Sequence, residues 1–184
     1  MKNILVFIES SKGTVKRGSL EVLTAAKASG ATTNALVIGT DAGPLNATLT
    51  AHGADHIHVV NGNEFNFYNP QAYTTALATV AEKTQPEFIL ASSTSLARDL
   101  FPRLAARMKV GMVSDCTELS LTEGKAKKPV YSGKCLAEVE FTNSPTKIVL
   151  MRPNQLPVNT PASASKGDMQ NHSIALSGLQ TLVK

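Results

Sequence analysis

Four short apolar runs, each followed by a helical stretch, constrain this chain more than any other feature. They are "ILVFI" (residues 4–8), "ALVI" (35–38), "IHVV" (57–60) and "FILA" (88–91). Between them lie helical patterns over residues 16–29, 44–51 and 71–84. A strand that is apolar at nearly every position is buried on both faces, and parallel strands need helical crossovers. The alternation therefore predicts an α/β fold, a three-layer sandwich with right-handed crossovers and a mostly parallel sheet covered by helices on both faces. Gly30 ends the first helix in the usual carboxyl-terminal role. Asp41 is a candidate N-cap for the second, and Pro86 punctuates the third.

The pattern changes after a fourth helical stretch at 96–108. Residues 112–113, 116–121, 130–141 and 147–151 are strand-like, with no helix between them. "PVYSGKCLAEVEF" partly alternates, as a half-exposed antiparallel strand does, so antiparallel strands are expected to finish the α/β body. From Arg152 onward the composition turns loop-like. The expectation is a scaffold-like α/β domain over 1–156 and an extended, partly mobile arm or linker over 157–184. Residues 174–183 are expected to form one last short element.

Composition narrows the function classes. Hydrophobic residues make up 42% of the chain and charged residues 17%, as in a globular domain. No apolar run approaches the ~20 residues that cross a bilayer. The amino-terminal run is too short for a signal-peptide core, so a cytoplasmic location with no membrane insertion is expected. Cys116 and Cys135 lack metal-ligand spacing and read as ordinary reduced residues. His56 and His58 share one face of a strand, but no neighbouring Cys or carboxylate completes a metal site. The net charge of +4 is concentrated in residues 98–134, which hold eight Lys/Arg against four Asp/Glu. With 5% aromatics and no Trp, no base-stacking pattern interleaves with those charges. A local basic face for a protein or an anion is indicated, not nucleic acid.

Sites of known chemistry are sparse. The first loop, "ESSKG", lacks both the dinucleotide fingerprint and the Walker pattern. No nucleophile elbow, zinc-protease helix or assisted Cys is visible. Glu9 follows the first strand, where open α/β sheets place ligands, yet a single carboxylate there is more often a capping or interface group than a base. The stretch "FILASSTSLARDLFPRLAARM" is the richest candidate. Ser92, Ser93, Thr94 and Ser95 end a strand and open a helix, an arrangement suited to phosphate. The helix then carries Arg98, Asp99, Arg103 and Arg107, with Asp99 and Arg103 spaced for an ion pair. A cap at Ser95 leaves Pro102 in the helix interior; a cap at Asp99 leaves it in the first turn. The stretch suits a solvated polar face, a docking surface or a phosphate site.

The ordered set "ARDLFPRLAARM", "GMVSDCTEL", "YSGKCLAEV" and "VLMRPN", with "ILVFIE" and "SLEVLTAAKASG" at the start, resembles the alpha subunit of electron-transfer flavoprotein. The resemblance covers residues 1 to about 156, and Ser10 stands where the family commonly carries His. It implies an adenine nucleotide alpha hydrolase-like fold and a scaffold role in an FAD-dependent electron carrier. Electrons would pass from primary dehydrogenases to FAD and on to a quinone reductase, with no catalytic residue in this chain. FAD is implied for the complete protein, held mostly by a second domain that nothing after Val158 resembles. The implied partner is the beta subunit, in a heterodimer. Arg98, Asp99, Arg103, Arg107 and Arg152 are then expected to be interface or ion-pair residues, and Ser92 to Ser95 a vestigial nucleotide site. A stand-alone adenine-nucleotide-binding protein of the universal-stress type is the competing expectation.

Overall fold

The computed structural model describes residues 3–39, 42–159 and 167–176. In chain order the elements are β1 (Asn3–Ile8), β2 (Ser10–Ser11), β3 (Thr14–Val15), α1 (Arg17–Ala28), β4 (Thr32–Ile38), α2 (Asn46–Ala51), β5 (His56–Val60), α3 (Pro70–Thr84), β6 (Phe88–Ser92) and α4 (Ser95–Met108). They continue with β7 (Gly111–Cys116), β8 (Glu118–Ser120), β9 (Lys125–Val130), β10 (Cys135–Glu140), β11 (Lys147–Met151) and β12 (Asp168–Asn171).

Seven strands form the central sheet in the order β12-β5-β4-β1-β6-β11-β7, and every pairing within it is parallel. Alternate residues of each inner strand feed opposite layers. Ile4, Val6, Phe88, Leu90 and Val149 pack with Leu23 of α1 and Leu49 of α2. Leu5, Phe7, Ile89, Ala91 and Leu150 pack with Leu77 of α3 and with Leu100, Phe101 and Leu104 of α4. Phe7 and Phe101 meet edge to face, 5.7 Å between centroids. Burial of both faces is why these strands are apolar throughout.

The order also places the site. From β1 the chain moves through β4 to β5 on one side, then returns to put β6 on the other. The crevice beyond the carboxyl ends of β1 and β6 is therefore the topological switch point, where open α/β sheets bind ligands.

Several boundaries differ from the sequence reading. β4 starts at Thr32 and not at 35, because buried Thr33 and Asn34 have partners: the Thr33 N–H donates to Asp55 at 2.8 Å, and Asn34 Nδ2 to the Ile4 carbonyl at 3.3 Å. Residues 112–113 and 147–151 join the parallel sheet as β7 and β11. The antiparallel sheet is a separate one, ordered β10-β9-β8. The stretch 130–141 is not one strand. Tyr131, Ser132 and Gly133 all have positive φ and make a turn between β9 and β10. β9 was missed because its outward lysines hide the single inward Ala126, which is 1% exposed. Within the expected arm, Asp168–Asn171 adds a strand beside β5. Its polar sequence reflects an edge position with exposed side chains. Of the element expected at 174–183, Ile174 and Leu176 pack on the α3–α4 layer without regular structure. The remainder, like Asp41, lies outside the described residues.

Candidate functional site

The strand ends at the switch point are occupied by the chain's own side chains. Glu9, 6% exposed, ends β1. Its carboxylate accepts a hydrogen bond from Lys16 Nζ at 2.7 Å and another from the Thr94 hydroxyl. The Glu9 N–H donates to Ser19 Oγ at 2.9 Å, tying the same residue to α1. The small β2–β3 hairpin, paired Ser10 to Val15, brings Lys16 back over the strand end.

Thr94 links the two halves of the crevice. Its Oγ1 accepts from the Ala97 N–H at 3.1 Å and so caps α4, while its proton goes to Glu9. The cap is thus neither Ser95 nor Asp99. Thr94 has the extended backbone that a cap requires, and Ser95 is already helical. Pro102 consequently lies inside α4, as the first of the two cap alternatives foresaw. Ser92 lies against α1, where a Cβ on Gly18 would sit 2.3 Å from Ser92 Oγ. Glycine at position 18 is what lets the helix start approach the strand. Ser93 is buried, its N–H bonded to the Met151 carbonyl at 2.7 Å, and its hydroxyl has no partner among the described residues.

An anion entering this crevice would meet a buried carboxylate at the helix start. The Thr94 hydroxyl that caps the helix already donates to Glu9, and the carboxylate charge disfavours a second anion beside it. Two open clefts lie beside the antiparallel sheet. One of about 370 Å³ is lined by Met112, Val139 and Phe141, at the small end for a drug-sized ligand. Among the described residues no group of three or more His, Cys, Asp or Glu side chains could hold a metal ion.

The cationic residues are dispersed, not gathered into one site. Arg103 Nη2 bonds Asp99 Oδ1 at 3.1 Å across one helical turn, as the spacing foresaw. Asp99 also accepts from the Tyr68 hydroxyl at 2.6 Å. The Tyr68 bond, and then Arg103, hold the Asp99 carboxyl below its ordinary range, while burial and then Asp99 push the Tyr68 phenol up. Arg107 bonds the Thr75 hydroxyl of α3 at 3.0 Å and has no carboxylate in that contact. Arg98 is exposed. Arg152 pairs with Asp115 through two bonds, Nε to Oδ1 at 2.8 Å and Nη2 to Oδ2 at 2.6 Å. Both partners are 40% exposed, so this ion pair is half-open to solvent and not buried.

Three participants were not visible in the sequence. Asp115 has φ 62°, an unusual backbone for Asp that turns its carboxylate to Arg152. Glu21, 1% exposed, accepts from Arg17 at 3.1 Å and from the Asn154 N–H at 2.9 Å, fixing the loop after β11 against α1. His172 reaches His58 across the sheet edge. Cys116 is buried, and burial pushes its thiol up to about 11, which keeps it inert. Cys135 is exposed. No described helix is long and apolar enough to cross a membrane.

The fold defines a class: a three-layer α/β sandwich with a parallel seven-stranded sheet, in which Glu9 and Thr94 join the strand ends at the switch point. Residues 4–177 match the electron transfer flavoprotein domain, and the chain belongs to that family. Among its relatives, the electron transfer flavoprotein subunit alpha of Bacillus subtilis is 25% identical over 187 residues, covering 100% of this chain and 57% of the relative. That of Megasphaera elsdenii is 30% identical over 161 residues, covering 83% of this chain and 48% of the relative. Protein FixB of Azorhizobium caulinodans is 29% identical, covering 95% and 50%. The chain spans about half the length of the curated relatives it matches.

Proposed function

We propose that this chain is the scaffold half of the alpha-type subunit of an electron-transfer flavoprotein. The observation that carries the reading is the family match over residues 4–177 by a chain about half as long as those relatives. The closed crevice supports the division of labour. In this reading the chain grips no nucleotide, and FAD is held by the other half of the complete protein. FAD supplies the redox chemistry there, and the scaffold supplies position and electrostatics. The partner is a beta subunit, and electrons travel from primary dehydrogenases toward a quinone reductase. The domain division is the one expected above, an α/β scaffold over 1–156 and a connecting segment over 157–184, and the location is cytoplasmic.

Arg98, Arg103 and Arg107 on α4 are the surface we assign to assembly. Asp99, Arg103 and Arg107, spaced by four, line one exposed side of α4, with Arg103 paired to Asp99, while Arg98 is exposed on another side of the same helix. Exposed ion pairs of that kind add little to stability, so their placement serves recognition better than folding. Arg152 and Asp99 hold the neighbouring loops through Asp115 and Tyr68.

The reading is tested on the purified chain. It predicts a colourless preparation and no calorimetric heat with AMP or ATP at millimolar concentration. Flavin absorbance in the chain alone, or stoichiometric adenine-nucleotide binding, would overturn it; the second result would favour a stand-alone nucleotide binder.

A further inference from the structure

The returning segment 167–176 is held to the sheet by a hydrogen-bond relay whose proton positions can be assigned in sequence. Asn34 Nδ2 faces the Ile4 carbonyl, which can only accept, so Asn34 Oδ1 is the accepting end of that amide. Oδ1 lies 3.0 Å from His58 Nε2, which therefore carries a proton. A neutral imidazole has one N–H, so His58 Nδ1 is an acceptor. Its partner at 2.9 Å, His172 Nε2, donates. His172 Nδ1 is then the acceptor that faces Lys83 Nζ at 3.4 Å.

This relay crosses from the sheet interior to the edge. Asn34 belongs to β4, His58 to β5 and Lys83 to α3, while His172 follows β12. A proton placed on His58 Nδ1 turns both facing nitrogens into donors, and His172 can accept again only by moving its proton to Nδ1, against the Lys83 ammonium. The surroundings make that proton costly. His56 on β5, His172 and Lys83 oppose it, and Asp168 on β12 partly offsets them, lying 3.6 Å from His56. Burial first, then His172 and His56 and, last, Lys83, bring the His58 pKa down to about 4. Burial and then Lys83 lower that of His172.

We propose that the His58–His172 hydrogen bond is a pH-sensitive latch: protonation of His58 at Nδ1 releases residues 167–176 from the sheet edge while the other six strands remain paired. The His56–Asp168 pair between β5 and β12, 3.6 Å apart, is largely open to solvent, and the remaining anchors are amide, backbone and apolar groups that do not titrate. The Asn46 side chain clamps Gly167, accepting from its N–H at 2.8 Å and donating to its carbonyl at 3.1 Å. The His172 N–H donates to the Val59 carbonyl at 2.8 Å, and Ile174 and Leu176 rest on the core. These contacts set how tightly the latch closes, not the pH at which it opens.

The sign follows from linkage. His58 binds its proton more weakly in the closed state than in the released one, where it returns to about 6.5. Closure is therefore fully favoured above that value and weakens as pH falls toward 4. One proton coupled in this way raises the opening constant about fifty-fold between pH 7 and pH 4.5.

Hydrogen exchange of the whole chain, corrected for intrinsic rates, reads the opening directly. Protection of peptides covering 168–172 should fall about fifty-fold between pH 7 and pH 4.5, with less than a three-fold change in β1 and β6. His172→Ala should lower protection of that segment about ten-fold at pH 7, through loss of one part-buried hydrogen bond. His58→Gln should flatten the pH profile. If His58→Gln does not fold, the parent chain and His172→Ala decide. Three results would overturn the latch: a flat profile in the parent chain, an equal loss in β1 and β6, or unchanged protection in His172→Ala.

Discussion

The Glu9–Thr94 contact is the part of the structure whose energy most directly reports on the closed crevice. The Thr94 hydroxyl does two jobs: it accepts from the Ala97 N–H and donates to the Glu9 carboxylate. Thr94→Val removes both. Loss of a cap costs about 1 kcal/mol, and a hydrogen bond to a charged group contributes about 1.5–3 kcal/mol. Because the groups are coupled, the sum is an upper bound, and about 2–3 kcal/mol is expected. Glu9→Ala removes the acceptor and the Lys16 pair. Lys16 is half-exposed and regains water, so that pair contributes little, and the expected cost is about 2 kcal/mol. The double variant should cost less than the two added, with a coupling energy of about 1–2 kcal/mol. Urea unfolding of the four proteins gives the numbers, each 2 kcal/mol appearing as a midpoint shift of about 1 M. Thr94→Ser keeps both bonds and should stay within about 0.5 kcal/mol of the parent. A coupling energy near zero, with Glu9→Ala costing less than about 0.5 kcal/mol, would show that the carboxylate does not close the crevice.

Pro102 is exposed inside α4 and leaves the Arg98 carbonyl without its helical donor, so Pro102→Ala should stabilise the chain by about 1 kcal/mol or more in thermal unfolding. Arg152→Ala should cost less than about 1 kcal/mol at neutral pH because the pair is half-open to solvent. Arg152 holds the Asp115 carboxyl below its ordinary range, so that contribution is present above the ordinary carboxylate value near 3.9 and disappears as pH falls below it. Arg103→Glu and Arg107→Glu should leave the unfolding free energy in urea within about 0.5 kcal/mol of the parent while weakening assembly with a beta subunit at least ten-fold. Equal loss of stability and assembly would assign those residues to folding.

The centre of the sheet was legible in the residues because double burial makes its strands mostly apolar, and the buried polar Thr33 and Asn34 of β4 are where the boundary was misplaced. β1, β6 and β11 read as strands for that reason, and α1, α3 and α4 by their inward leucines and alanines. Elements at the rim were not. β12 and β9 are strands by pairing, and their own side chains are polar or cationic. The turn at 131–133 depends on positive φ at Tyr131 and Ser132, residues that do not announce it. The site was half legible. Strand-end placement of Glu9 and Ser92 to Thr94 follows from the order of elements. Their closure does not, since Glu9 and Thr94 lie 85 residues apart and meet only once β6 takes its place beside β1. Asp115, Glu21 and His172 were hidden for the same reason: each gains its role from a partner far along the chain.

Association with a beta subunit tests the central claim most directly. Sedimentation velocity of an equimolar mixture of this chain and a purified electron-transfer flavoprotein beta subunit should show one boundary at the mass of a one-to-one complex, lost in Arg103→Glu/Arg107→Glu. Two independent boundaries at concentrations well above micromolar would contradict the account.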